Sequence, residues 1–424
     1  MTEDRDARVR DQYETYPYPA RDPADEADRL IVGSPSHVLE IEHYLRGGRA
    51  AGDLNALVAG GGTGDGVIML AQQLADRGQG RVTYVDISEA SMAIARERAR
   101  ARALDNIRFV QGSLLELSAI APGPYDYIDC CGVLHHLEDP AAGLAALRGE
   151  LAGDGGLGLM LYGSLGRTGV YPMQSALRRL SGGDPPADRV ALTRRLLTAI
   201  PDSNWLKRNP HLGDHLRGDD AGLYDLLLHP RDRSYTVGEI VALLAGAGLR
   251  LASFLPPAQY DPLIYLDDTE LQARARTLPP LEQAALAEEL SGAMKSHVFY
   301  AVPDDAITSP PDERIGPGTV AALKDIDPEQ LAATVRRNGQ ITVTVGERPR
   351  RIAMPEGAAD LLALIDGTRT LRQIHGRLRV SGRRLGWDQF AEAFGELLAL
   401  LQPLNLLLLR DGCSPPRPAG KARP

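Results

Sequence analysis

The sequence predicts a doubly wound α/β fold, a mainly parallel sheet of seven strands with helices on both faces, followed by a small α+β module. Three observations carry that prediction. Apolar strand-like runs alternate with helical patterns from Leu54 onward, and a glycine-rich turn, Gly60-Gly61-Gly62-Thr63-Gly64, joins the first strand to the first helix. The second strand ends in an acid, Asp86, 22 residues beyond Gly64. Alternation at this pace makes βαβ units, whose crossover helices force neighbouring strands to run parallel.

In chain order, LNALVAG, RVTYVDI, IRFVQG, YDYIDCCG and GLGLMLYG supply five strands. GDGVIMLAQQLADRG, EASMAIARERARARAL and PAAGLAALRGELAG supply helices between them. The alternation pauses over about 164–234 and again over about 267–294, which read as helical insertions, while LRLASFLP and KSHVFYAVP complete the seven strands. Residues 1–30 form a charged arm whose Tyr13, Tyr16 and Tyr18 are aromatics a plain linker does not need. The sheet domain spans 31–303, and the Pro- and Gly-rich stretch 304–318 is the linker. A winged-helix-like module follows over 319–410, built on the hairpin GQITVTVGERPRRIAM, three helices and a last strand. The tail 411–424 is polar and Pro-rich and is expected to be disordered.

Composition narrows the function. At roughly 150 residues per domain, 424 residues make two or three domains, and 43% hydrophobic with 24% charged residues fits a globular chain. The net charge of −9 argues against a nucleic-acid partner recruited by overall charge. Arg is the default cation here, so the arginines of the C-terminal module read as a solvated face before they read as phosphate contacts. Three cysteines make no disulfide framework, and no apolar run approaches the ~20 residues of a bilayer span. A cytoplasmic protein with no membrane partner is expected.

The glycine-rich turn exposes bare backbone N–H groups at a helix N-terminus. Its spacing excludes two familiar uses. The dinucleotide fingerprint fails because Asp65 and Val67 stand where the third glycine belongs, and no Lys-Ser/Thr follows to make a phosphate loop. What remains is Gly60-x-Gly62-x-Gly64, with Asp86 placed at a strand end to accept two hydrogen bonds from a ribose diol.

GGGTG, YVDIS, FVQGSLLEL and YDYIDCCGVLHHLEDP together resemble a class I S-adenosylmethionine-dependent methyltransferase, in outline over 31–303 and specifically over about 54–162. The resemblance implies a Rossmann-like fold and S-adenosyl-L-methionine as cofactor. It puts Gly60, Gly62 and Gly64 against the methionine and ribose, Asp86 on the ribose hydroxyls and Ile87 against the adenine. The Ser113 hydroxyl and the Leu114 N–H would then meet the adenine amino group, and the loop from Gly132 to His136 would lie over the transferable methyl. Two positions depart from the family pattern: Val58 replaces the acid usual before the first glycine, and Ser113 replaces an aspartate.

Cys130, Cys131, His135 and His136 suggest a metal at first sight, but adjacent residues on a strand point to opposite faces, so no metal is expected. Methyl transfer is an in-line displacement that needs alignment and at most one proton removed. Candidates for that work are His135, Tyr16, Tyr162, His229 and Tyr235, with Tyr18 and the rest of His229-Pro230-Arg231-Asp232-Arg233-Ser234-Tyr235 beside them. Of the two neighbouring histidines, His135 is favoured at the site. The expected reaction is methyl transfer to O or N of a small-molecule acceptor. Two alternatives stand beside it. The layout of core plus winged-helix-like tail also resembles the rickettsial-type protein lysine methyltransferases, and a non-catalytic cofactor sensor could bind nucleic acid or a protein through its C-terminal module. Oligomeric state is not written in the sequence.

Overall fold

The structure is a computed structural model that describes residues 2–51, 53–78, 80–216, 219–306, 314–380 and 385–412. The chain divides into two units, residues 1–38 with 52–306, and residues 39–51 with 307–424.

The first unit carries the sheet. Its strands are β1 (Asn55–Ala59), β2 (Arg81–Asp86), β3 (Ile107–Gln111), β4 (Tyr125–Cys131), β5 (Leu151–Tyr162), β6 (Leu249–Leu255) and β7 (Ser296–Pro303). They lie in the order β3-β2-β1-β4-β5-β7-β6, all parallel except β7, which runs antiparallel to both β5 and β6. The central strands are covered on both faces and read as near-continuous apolar runs, with Leu57, Ile128 and Leu157 fully buried. The strand order reverses between β1 and β4, and beyond the C-terminal ends of strands at such a switch point is the usual place for a ligand in an open α/β sheet.

Residues 164–234 carry three helices, Val170–Ser181, Pro186–Ala199 and Asp220–Leu227. These bury an apolar cluster of their own around Met173, Leu177, Leu223 and Leu227, with Tyr16 packed against it. Helices Thr269–Ala275 and Pro280–Ser291 fall within 267–294. No helix among the described residues is long and apolar enough to cross a membrane.

In the second unit, β8 (Thr319–Leu323) pairs antiparallel with β11 (Leu407–Asp411), and β9 (Gln340–Val345) with β10 (Arg348–Ala353) forms the hairpin. The module expected over 319–410 starts with β8, which with the helix Pro328–Asn338 precedes the hairpin, and Ala358–Leu362, Leu371–Val380 and Trp387–Leu401 follow around Phe390, Phe394 and Leu398. β11 reaches into the stretch expected to be tail, and 413–424 lie outside the described residues, as do 307–313 of the linker.

One segment departs from the domain boundary at residue 31. Leu39–Ala51 belongs to the second unit because its buried polar side chains find their partners there. Glu40 pairs with Lys324 (2.7 Å) and accepts from Asn405 (2.5 Å), while His43 Nδ1 accepts the Leu409 N–H (2.9 Å). A buried carboxylate without such partners is costly, so these bonds fix where the segment packs.

Candidate active site

β1 leads into the glycine turn, where Gly60, Gly62 and Gly64 take φ of +75°, +53° and +107°. At Gly62 two demands coincide: its φ is left-handed, and a Cβ there would stand 2.8 Å from the Tyr18 carbonyl oxygen. Asp86, buried at the end of β2, accepts the Gly62 N–H and the Ser88 N–H, each at 2.8 Å. Burial raises its pKa, and these backbone N–H groups oppose the rise. Ile87 follows, half-buried. Ser113 caps the turn Leu114–Glu116 by accepting the Leu115 N–H, and Leu114 is buried beneath it. Gly132 ends β4 with φ +79° and donates to the Met160 carbonyl.

The N-terminal arm is strapped across this turn. Its helix α1 (Thr2–Thr15) delivers Glu14, whose carboxylate accepts the Glu89 and Ala90 N–H groups and so caps the helix Glu89–Ala101. The Tyr13 and Pro19 carbonyls accept from the Ser88 and Thr63 hydroxyls. Arg21 pairs with Asp65, and the fully buried Arg98 joins Glu26, Asp65 and the Thr63 carbonyl. Arg102 also pairs with Glu26.

The loop after β4 turns through Leu134–His136 and meets side chains from four other elements. His135 is fully buried and stacks on Tyr162 with ring centroids 3.8 Å apart, and neither ring nitrogen has a hydrogen-bond partner among the described residues. Burial, with His136 and Arg167 nearby, pushes its pKa well down. His136 stacks on His229 at 3.8 Å, and its pKa falls to about 4, chiefly through burial. Tyr162 donates to Asp225 Oδ2 (2.9 Å) and Tyr13 to Asp225 Oδ1 (3.4 Å), while His229 Nε2 lies 3.4 Å from the Tyr13 hydroxyl. Burial raises the Asp225 pKa to about 6. Arg167 lies over the Tyr162 ring at 3.7 Å and pairs with the buried Asp232.

Of the residues expected to act on the acceptor, His135, Tyr162 and His229 thus come together. Tyr16 does not join them; it stacks on Tyr224 at the insertion (5.1 Å). Tyr235 gives its backbone N–H to the Tyr162 carbonyl, and its ring lies in the main core. Sequence reasoning preferred His135 to its neighbour His136, left Tyr13 as one of the arm's aromatics and did not pick out Asp225. Asp225 had a readable signal: it is the one acid inside the apolar helix run Gly222–Leu228, a place where an acid needs a reason. Tyr13 had none, since its partners stand more than 200 residues away.

His136, Asp225 and His229 bring metal-ligand atom types within 4.8 Å of one another. The hydrogen bonds disfavour a cation there. The Arg231 N–H donates to His229 Nδ1 (3.0 Å), so the proton of the neutral ring sits on Nε2 and no lone pair faces the cluster.

Residues 57–157 match a family model described as a methyltransferase domain. The uncharacterized protein syc1184_c of Synechococcus sp. is 32% identical over 302 residues, covering 68% of this chain and 69% of that protein. A ubiquinone biosynthesis O-methyltransferase of Acinetobacter baumannii is 35% identical over 94 residues, 22% of this chain and 38% of its own length. Among solved structures, PKMT2 from Rickettsia typhi aligns over 88% of this chain and 76% of its own with a TM-score of 0.61 at 14% identity, a likeness of fold. The fold and the match define a Rossmann-like transferase. The chain belongs to the class I S-adenosylmethionine-dependent methyltransferases.

The turn fits that cofactor. Asp86 holds one backbone N–H on each oxygen and keeps further lone pairs on both, the acceptor set a vicinal diol requires.

Proposed function

We propose that this methyltransferase modifies oxygen or nitrogen of a small-molecule acceptor. Gly60, Gly62, Gly64, Asp86, Ile87, Ser113, Leu114 and Gly132 hold the cofactor in this reading, and the acceptor lies among Tyr13, His135, His136, Tyr162, Asp225 and His229. The bound cofactor supplies an electrophilic methyl on a sulfonium. The chain aligns the attacking atom with it, excludes water and manages one proton.

The observation that carries this reading is the buried cluster beyond β4 and β5. His135, His136, Asp225 and His229 are each at most 6% exposed, and side chains this deeply buried suit a small acceptor better than a folded protein. Partial similarity to a ubiquinone biosynthesis O-methyltransferase agrees with it.

The test is incubation of the purified protein and of Asp86→Ala with methyl-labelled cofactor and cell extract. Label is expected in the small-molecule fraction, dependent on Asp86. Label confined to protein or nucleic acid, or none in any fraction, overturns the reading.

A further inference from the structure

Among the described residues, three aspartates stand against the glycine turn or the first turn of its helix, and two of them are accounted for. Asp65, the first residue of the helix Asp65–Ala75, pairs with Arg21 and with the buried Arg98. Asp86 ends β2 with the lone pairs read above as the ribose acceptors. The third, Asp129 on β4, is 3% exposed and has no lysine, arginine or histidine as an ion-pair partner among the described residues. Its Oδ1 accepts the Cys131 N–H (3.0 Å) and its Oδ2 the Ser36 hydroxyl, which leaves a further lone pair on each oxygen. An ionised carboxylate buried without a cation is costly, and burial here raises the Asp129 pKa to about 6 against those two hydrogen bonds.

The position of that carboxylate is set by strand register. β4 pairs with β1 so that Asp129 stands beside Val58. A Cβ on Gly61 would lie 3.2 Å from Val58 Cγ1, and one on Gly66 3.4 Å from Asp129 Oδ2, so both side chains look at the glycine turn and the start of its helix. Ile128 and Cys130, on either side of Asp129, turn the other way into the main core. Val58 is the position where the family pattern carries an acid. The negative charge that β1 lacks is therefore present one strand over, at the same level and on the same face.

We infer that Asp129 is the counter-charge for the α-ammonium of the cofactor's methionine. The inference rests on the cofactor residues proposed above and adds one to them. In that reading the ribose is taken at the end of β2 and the methyl faces the cluster beyond β4 and β5, so the amino-acid part of the cofactor falls to β1 and β4. Asp65 is already neutralised by two guanidinium groups and Asp86 is taken by the diol, which leaves Asp129 to receive the ammonium. Around its carboxylate stand Ser36 with Tyr127 and Tyr300 hydrogen-bonded to it, the Cys130 and Cys131 thiols of its own strand, and Gly66 of the helix; none of these is a cation. The helix N-terminus offers it roughly half a positive charge, and the ammonium supplies a whole one.

The test compares calorimetric affinity for S-adenosylhomocysteine with that for its deamino analogue, in which hydrogen replaces the ammonium. Asp129→Asn is expected to weaken S-adenosylhomocysteine roughly 10–100-fold and to leave the analogue within a few-fold of its wild-type affinity. Equal losses for the two ligands, or none for either, overturn the inference. A wild-type readout covers a variant that fails to fold: calorimetry in buffers of different ionisation enthalpy, between about pH 5 and pH 7. There S-adenosylhomocysteine should release up to about one proton more than the analogue, because the ammonium draws Asp129 into its ionised form. Equal proton release by the two ligands across that range overturns the inference. Wild-type protein that binds neither ligand instead defeats the cofactor reading on which it stands.

Discussion

Asp86 serves two masters at the level of a single side chain. Its carboxylate closes the glycine turn on Ser88 through two backbone N–H groups, and in the proposed reading the same oxygens take the ribose diol. Asp86→Ala is expected to weaken calorimetric cofactor binding by roughly 1–3 kcal/mol in a folded protein, and unchanged affinity removes the ribose assignment. His136 and Asp225 set opposite pH gradients on stability. The His136 pKa is lower folded than unfolded, so its contribution is lost as pH falls from about 6.5 to about 4. The Asp225 pKa is higher folded than unfolded, so ionising it costs stability as pH rises from about 4 to about 6. A shift of about two units corresponds to about 3 kcal/mol. In urea unfolding, wild-type stability minus that of Asp225→Asn is therefore expected to fall by up to about 3 kcal/mol between pH 4 and pH 7. A difference independent of pH contradicts the buried, ionising carboxylate.

Among the elements, the arm touches both the glycine turn and the buried cluster around Asp225. Glu14 caps the helix after β2, Tyr18 overlies Gly62, and Tyr13 reaches Asp225 and His229. Glu14→Gln should cost about 1 kcal/mol through the weakened cap and speed proteolytic cutting within residues 1–33, with added cofactor slowing that cutting again. Cutting rates equal to wild type, or indifferent to cofactor, contradict a strap across the site. The sheet itself was legible because its signal is local: each of LNALVAG, RVTYVDI and YDYIDCC announces a strand from its own residues. The glycine turn and Asp86 were legible for the same reason. His136 was not separated from His135, because the difference lies in one backbone unit at Arg231 rather than in either histidine's neighbours in sequence. The arm's aromatics announced packing, and Tyr13 rather than Tyr16 proved to reach the cluster, a choice set by partners over 200 residues away.

At the scale of the whole molecule, two units are built from interleaved chain. The second takes Leu39–Ala51 from inside the first, and buried Glu40 fixes it by pairing with Lys324 and Asn405. Lys324→Met leaves that carboxylate without its cation and is expected to destabilise the second unit by roughly 3–5 kcal/mol in denaturant unfolding, a loss that Glu40→Gln in the same chain should largely relieve. Equal stability of the single variant and wild type contradicts the pairing. No local pattern betrays such a segment, since Leu39–Ala51 reads as an ordinary continuation toward β1. The interleaving also imposes a timetable on synthesis. At a ribosomal rate of roughly 5–20 residues per second, His43 leaves the ribosome roughly 20–70 s before Leu409, whose N–H it accepts. Tyr13 likewise waits for Asp225 and His229. The parts of the chain made first are therefore the last to be secured, and until then Glu40, His43 and the arm's tyrosines are what a nascent chain offers to chaperones and proteases.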